Sequence, residues 1–230
     1  MTTAASSQAL GTPPRLYLIT DRRQTAGRPL AAVVAQALGA VRSGRVPPAA
    51  VAVQLREKDL HGQELFALAT ALRAVTRAAG VRLFINDRID VALAVGADGV
   101  HLGGGALEVT DVEAIAPRLA IAVSTHSADE VGSLEGARHG DRRVNFAQFG
   151  PVFETPSKRP FGPPLGLERL RDAVTAAAGM PLVAVGGIDR ASARSCIEAG
   201  ASGVALIRAV LSDGAPERAL SGIFEAIEST

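Results

Sequence analysis

One phrase recurs along the chain from Leu16 to Ile227: a short apolar run, a polar turn, then a stretch with apolar residues at helical spacing. The apolar runs cover 16–20, 50–56, 81–85, 99–102, 119–123, 144–149, 182–185 and 203–207. They are apolar on both sides. Parallel strands buried on both faces read this way, and parallel neighbours need a crossover connection, usually a helix. The stretches between them predict helices over about 30–42, 60–79 (stopped at Gly80), 89–95, 109–116 (stopped at Pro117), 167–178 and 215–227. Ser127-Ala-Asp-Glu130 has the spacing of a capping box opening a further helix, and Asp189 is placed to cap another that runs through Ala199. Eight equal phrases in 230 residues predict an α/β fold, a single-domain (β/α)8 TIM barrel over 15–230, with 1–14 a flexible tail. The competing arrangement, an open doubly wound sheet, carries a glycine-rich fingerprint after its first strand. Thr20-Asp-Arg-Arg-Gln24 cannot serve as one.

The bulk numbers narrow the function. A formal net charge of +1 gives no global field for nucleic acid, and 3% aromatics without Trp gives no stacking platform. No apolar run reaches the roughly 18–20 residues of a membrane span. The N-terminal stretch, rich in Ala, Ser and Thr, lacks the basic start and apolar core of a signal peptide. The lone Cys196 fits a reducing compartment, so a cytoplasmic location is expected. Association into a homo-oligomer is left open.

In a barrel the chemistry sits at the C-terminal ends of the strands. In Val51-Ala-Val-Gln-Leu-Arg-Glu-Lys58, alternation puts Val51, Val53 and Leu55 on one face and Gln54, Arg56 and Lys58 on the other. Packing gives no reason for an amide and two cations on one side of a strand end. The remaining strand ends add Asn86-Asp87, His101, Ser124-Thr-His126, Thr155-Pro-Ser-Lys158, Gly186-Gly187 and Arg208. Each has a plain alternative. Asp87 could cap the next helix, His101 could be a hydrogen-bonded core residue, and His126 could be loop filler beside the capping box. Ser157 and Lys158 could be ordinary loop residues, and Gly186-Gly187 a turn. Together they suggest two anion subsites. Arg56, Lys58 and Lys158 with Asn86, Thr155 and Ser157 make a cationic basin for a polyphosphate, beside Asp87 as a carboxylate suited to Mg2+. The glycines after the seventh strand and the backbone after the eighth make a phosphate cup.

These segments resemble the thiamine phosphate synthase family, which includes the related thiazole tautomerases. Leu16-Tyr-Leu-Ile-Thr-Asp21, Gln54-Leu-Arg-Glu-Lys58, Ile85-Asn-Asp-Arg88, Gly96-Ala-Asp-Gly-Val-His-Leu-Gly103, Val123-Ser-Thr-His-Ser127, Phe149 through Lys158 and Val185-Gly-Gly-Ile188 follow the family's blocks in order. The resemblance implies a barrel enzyme that joins hydroxymethylpyrimidine diphosphate to a thiazole phosphate and releases pyrophosphate. It implies that Gln54, Arg56, Lys58 and Asn86 hold the pyrimidine diphosphate and that Asp87 binds Mg2+. Ser124 would lie near the reacting carbon, and Thr155, Ser157 and Lys158 would close over the substrates. Gly187 and the Ile207 backbone would take the thiazole phosphate.

The chain departs from the synthase pattern in three places. Gly104-Gly105-Ala106 stands where the family carries a second metal-binding Asp, with Glu108 and Asp111 just downstream. Arg208 replaces a small residue. The loop after Lys158 continues as Arg159-Pro-Phe-Gly-Pro-Pro164. These departures raise two alternatives. One is a tautomerase-like isomerase, acting on a thiazole carboxylate phosphate with His126 as acid–base and without Mg2+. The other is a catalytically silent barrel that binds a phosphate ligand.

Overall fold

The computed structural model describes residues 12–136, 144–155 and 162–229. Eight strands form the barrel: β1 (Leu16–Ile19), β2 (Val51–Leu55), β3 (Arg82–Asn86), β4 (Gly99–Leu102), β5 (Ala120–Thr125), β6 (Val144–Phe149), β7 (Leu182–Val185) and β8 (Gly203–Leu206). Each pairs in parallel with the next, and β8 closes on β1. The helices are α1 (Leu30–Ala37), α2 (Gly39–Arg42), α3 (Gly62–Ala78), α4 (Ile89–Val95), α5 (Val109–Ile115), α6 (Ala128–Gly136), α7 (Gly166–Ala176), α8 (Ala193–Glu198), α9 (Arg208–Leu211) and α10 (Pro216–Glu228). The expected (β/α)8 barrel is the fold observed.

Strand alternation divides the core in two. Leu16, Leu18, Val51, Val53, Leu55, Leu83 and Ile85 belong to the large apolar cluster packed with the helices. Tyr17, Ile19, Ala52, Phe84, Ala120, Ala122, Phe146, Val183 and Ala205 form a second cluster inside the barrel. Tyr17, Phe84 and Phe146 meet edge to face, with centroids 5.3–5.7 Å apart. Such pairs contribute about 0.5–1.5 kcal/mol each beyond area burial. Gly99 makes room for this plug, because a Cβ there would collide with the Phe84 ring. The plug seals the barrel below the mouth, so inward side chains one layer higher line a closed floor.

Two expected elements differ. The helix over 30–42 is two helices, broken at Leu38, where Gly39 follows and the Glu217 side chain packs against the glycine. After β8 the chain turns at once into the single-turn α9, beginning at Arg208. The capping box forms, with a variation: the Glu130 amide donates to Ser127 Oγ at 3.1 Å, while Glu130 Oε2 accepts from the His126 amide at 2.6 Å. Of the expected tail, residues 1–11 lie outside the described part. Thr12 and Pro14 are docked instead: Pro14 is buried, and the Thr12 carbonyl accepts from Arg82 Nη1 at 2.7 Å.

Candidate active site

The C-terminal end of β2 supplies the cations. Gln54 points inward and is 1% exposed; Arg56 is half-buried and Lys58 exposed. The Arg56 amide donates to the buried Thr20 Oγ1 at 2.9 Å, which ties this strand end to β1. Glu57, between the two cations, turns the other way, as alternation demands. Its carboxylate is almost fully buried and accepts from the Arg22 amide (3.0 Å) and Arg22 Nη1 (3.0 Å). Arg22 also makes two 2.7 Å hydrogen bonds to Asp59. Glu57 and Asp59 are thus paired on the outer side. The Arg56 and Lys58 side chains make no hydrogen bond or ion pair with another described residue.

A chain of amides crosses from β2 to β3. Gln54 Nε2 donates to Asn86 Oδ1 at 2.9 Å, Asn86 Nδ2 donates to Asp87 Oδ2 at 2.7 Å, and the Gly103 amide donates to Asp87 Oδ1 at 2.8 Å. The direction of this chain follows from its end. A carboxylate only accepts, so Asn86 turns its NH2 to Asp87 and its oxygen to Gln54. That leaves Gln54 Oε1 facing the barrel interior, buried and without a partner. Asp87 is held with φ 58°, in the left-handed region that a non-glycine residue seldom adopts, a strain that clusters at functional sites.

His101 on β4 is buried in the barrel centre. Its Nδ1 lies 3.3 Å from the Tyr17 hydroxyl and its Nε2 2.9 Å from Ser124 Oγ. Burial, helped by the positive charges of Arg56 and Lys58, pushes its pKa down to about 3, so the imidazole is neutral. Burial raises the Tyr17 pKa, so the phenol keeps its proton. Tyr17 has no other hydrogen-bond partner among the described residues. If it donates to Nδ1, then Nε2–H donates to Ser124 Oγ, and the Ser124 proton is left to point at the mouth. Read as a core residue or as a rim residue, His101 satisfies both descriptions.

The far side of the mouth is built differently. Gly186 and Gly187 have φ of 101° and 66°. A Cβ on Gly187 would lie 2.5 Å from the Glu154 carbonyl oxygen and 2.8 Å from Phe153 Cβ. These glycines therefore let the segment after β6 cross the end of β7, where the Val152 and Phe153 amides donate to the Val185 and Gly186 carbonyls at 2.8 and 3.0 Å. That crossing leads to Thr155, which lines a cavity of about 360 Å³ with Pro151, Phe153, Glu154, Gly162, Pro163 and Pro164. Ile207 packs on the interior cluster, and Arg208 is exposed. Ser157 and Lys158 lie outside the described residues.

His126 is placed apart from Ser124. It is exposed, and its Nδ1 donates to the Gly150 carbonyl at 2.6 Å. Its ring borders a crevice of about 50 Å³ shared with Phe149, Leu165, Arg169 and Asp172, on the helix-facing side of the barrel. Cys196 is buried in α8, with its thiol pKa pushed up to about 12 by burial, remote from this chemistry.

One residue escapes the sequence reading altogether. Gln148 on β6 follows Phe146 by two, shares its inward face, and is 7% exposed, with Nε2 buried and unpartnered. The signal was an amide inside an apolar strand, two positions beyond an aromatic residue.

For a metal, Asp87 is the candidate. Among the described residues no group of three or more His, Cys, Asp or Glu could hold an ion. Ala106 offers no ligand; Glu108 and Asp111 are exposed at the start of α5. Asp87 gives one carboxylate, each oxygen accepting a single hydrogen bond. This fits Mg2+ that takes most of its ligands from substrate phosphate and water, and does not fit an all-protein cage.

Comparison with known proteins agrees in family and in fold. The sequence pattern of the family described as thiamine monophosphate synthase matches residues 16–210. A putative thiamine-phosphate synthase of Geobacter sulfurreducens is 45% identical over 207 residues, 89% of this chain and 90% of the relative. The thiamine-phosphate synthase of Roseiflexus sp. is 40% identical over 216 residues, 93% of this chain and 85% of the relative. Among solved structures, thiamine phosphate pyrophosphorylase from Pyrococcus furiosus superposes with a TM-score of 0.79 at 34% identity, covering 95% of this chain and 98% of its own. No helix among the described residues is long and apolar enough to cross a membrane.

Proposed function

We infer, from the premise that this chain belongs to the thiamine monophosphate synthase family, that it is a thiamine phosphate synthase. This transferase joins hydroxymethylpyrimidine diphosphate to a thiazole phosphate and releases pyrophosphate. The observation that carries the assignment of roles is the amide chain from Gln54 through Asn86 to Asp87, which joins the ends of β2 and β3 directly beside Arg56 and Lys58.

The reaction breaks the bond between the pyrimidine methylene carbon and the diphosphate oxygen, and both electrons leave with the diphosphate. The lone pair of the thiazole nitrogen forms the new bond to that carbon. The barrier is lowered by stabilising charge that grows on the leaving group. Arg56 and Lys58 do this from the end of β2, and the family resemblance gives Ser157 and Lys158 the same duty, with Thr155 beside them in sequence. Ser124 adds a neutral donor, oriented by His101. Gln54 and Asn86 orient the pyrimidine. Gly187, the Ile207 backbone and Arg208 hold the thiazole phosphate on the opposite rim, so the two reactants meet over the sealed floor. Asp87 would hold Mg2+, which when bound supplies further positive charge to the diphosphate. No protein nucleophile is required. A cytoplasmic location accords with a free, unreactive Cys196.

The isomerase alternative is the weaker one: His126 borders the helix-facing crevice with Phe149, Leu165, Arg169 and Asp172, while its Nδ1 donates to the Gly150 carbonyl and fixes the tautomer. Arg56→Ala, Lys58→Ala and Lys158→Ala should each cut pyrophosphate release sharply, with Lys158→Ala nearly abolishing it. Turnover untouched in all three variants would sink the diphosphate assignment.

A further inference from the structure

The floor of the mouth holds two orphaned amide groups. Gln54 Oε1 on β2 and Gln148 Nε2 on β6 are both buried and both lack a hydrogen-bond partner. Leaving such a group unsatisfied costs about 1–3 kcal/mol, and an unsatisfied group in a native fold calls for a reason. The Asn86–Asp87 chain makes the Gln54 group an acceptor, and the Gln148 amide, which makes no side-chain hydrogen bond among the described residues, is free to present its NH2 as the donor. They also stand on opposite walls of an eight-stranded barrel, four strands apart.

Their surroundings define what fits between them. Below lie the rings of Phe84 and Phe146, the latter on the same face of β6 as Gln148. In register, Gln148 sits beside Ser124 of β5 and Val183 of β7. It marks the seam between the polar wall of Gln54, Asn86, His101 and Ser124 and the apolar wall of Val183, Val185 and Ile207. The cations stand higher, at the half-buried and exposed positions of Arg56 and Lys58. A phosphate oxygen is served by those cations. A neutral carboxamide at the buried seam suits a neutral heteroatom.

We propose that Gln148 is a substrate-recognition residue whose Nε2–H donates to a ring nitrogen of a flat heteroaromatic ring, while Gln54 Oε1 accepts from an amino group on the opposite edge. An aminopyrimidine carries this pattern, with a donor amino group and a lone-pair nitrogen across the ring. The proposal rests on the pyrimidine diphosphate reading above and assigns the ring edge that Gln148 reads. It also gives Asp87 a second duty: by fixing the direction of the amide chain, it makes Gln54 an acceptor rather than a donor.

The test uses two ligands: the aminopyrimidine with a diphosphomethyl group, and its aminopyridine counterpart with C–H in place of the nitrogen across from the amino group. Affinities of wild type and Gln148→Met are measured by calorimetry, without the second substrate. Wild type should prefer the pyrimidine by about fivefold to tenfold, the value of one neutral hydrogen bond. Gln148→Met should lose that preference and bind inorganic pyrophosphate as wild type does. Equal affinity of wild type for the two ligands overturns the proposal, and so does a preference that survives in Gln148→Met. The wild-type comparison alone decides if the variant does not fold. Coupling is assayed separately: coupling without ring discrimination removes this subsite and leaves the synthase, while discrimination without coupling does the reverse.

Discussion

His101→Gln isolates the buried imidazole at the centre of the barrel. In the folded chain His101 stays neutral down to about 3, against an ordinary value of 6.5. Between those values the unfolded chain binds a proton that the folded chain refuses. Stability from this group is therefore complete above about pH 6.5 and is lost as the pH falls towards 3, by up to ~1.4 kcal/mol per pH unit. Between about pH 6 and pH 4 the loss comes to ~2–3 kcal/mol. Glutamine does not titrate, and its amide can still face both the Tyr17 hydroxyl and Ser124 Oγ. The substitution should cost about 1 kcal/mol near pH 7, one hydrogen-bond geometry exchanged for a poorer one. Urea unfolding of both proteins from about pH 4 to pH 7 reads the difference directly. The wild-type stability should fall more steeply on acidification, and the two curves should converge or cross. Curves that stay parallel would refute the neutral buried imidazole, and with it the orientation argued for Ser124.

Glu57→Leu strips the Arg22 amide and guanidinium of their buried carboxylate. It should destabilise the protein by about 1–3 kcal/mol and raise the KM for the diphosphate substrate more than that for the thiazole phosphate, seen in urea unfolding and steady-state rates. Gly187→Ala forces a Cβ to within 2.5 Å of the Glu154 carbonyl at a left-handed φ. It should cost about 1–3 kcal/mol and displace the loop root carrying Thr155, with wild-type stability as the contrary result.

The barrel was legible because its cause is local. Residues such as Val51, Val53 and Leu55 must face the helices, and the alternation that follows sends Gln54 and Arg56 inward. The same rule sends Glu57 outward, although in sequence it reads as one of a run of alternating charges. Gln148 was missed because Val144–Phe149 reads as an apolar strand until its inward partner Phe146 is known. Asn145, three residues earlier, is polar for another reason: its Oδ1 accepts from the Ile121 amide at 2.7 Å, where the β5–β6 register shifts. His126 sits one step beyond a strand end, where alternation stops predicting direction, and the Gly150 carbonyl decides instead. The break falls at Leu38, and the apolar periodicity of 30–42 runs straight through it, so the pattern could not show it. The expected roles of Gly186 and Gly187 illustrate a different limit. A glycine pair reads equally as a phosphate cup or a close crossing; the structure shows the crossing, and the cup stays a proposal beside it.

The account turns on whether side chains from distant strands meet to take charge from a departing diphosphate. Pyrophosphate release by the purified protein, supplied with both substrates and with or without Mg2+, measures that most directly. Release that needs both substrates and rises with Mg2+ is the predicted result. Binding of pyrophosphate with no release under any of these conditions would contradict it.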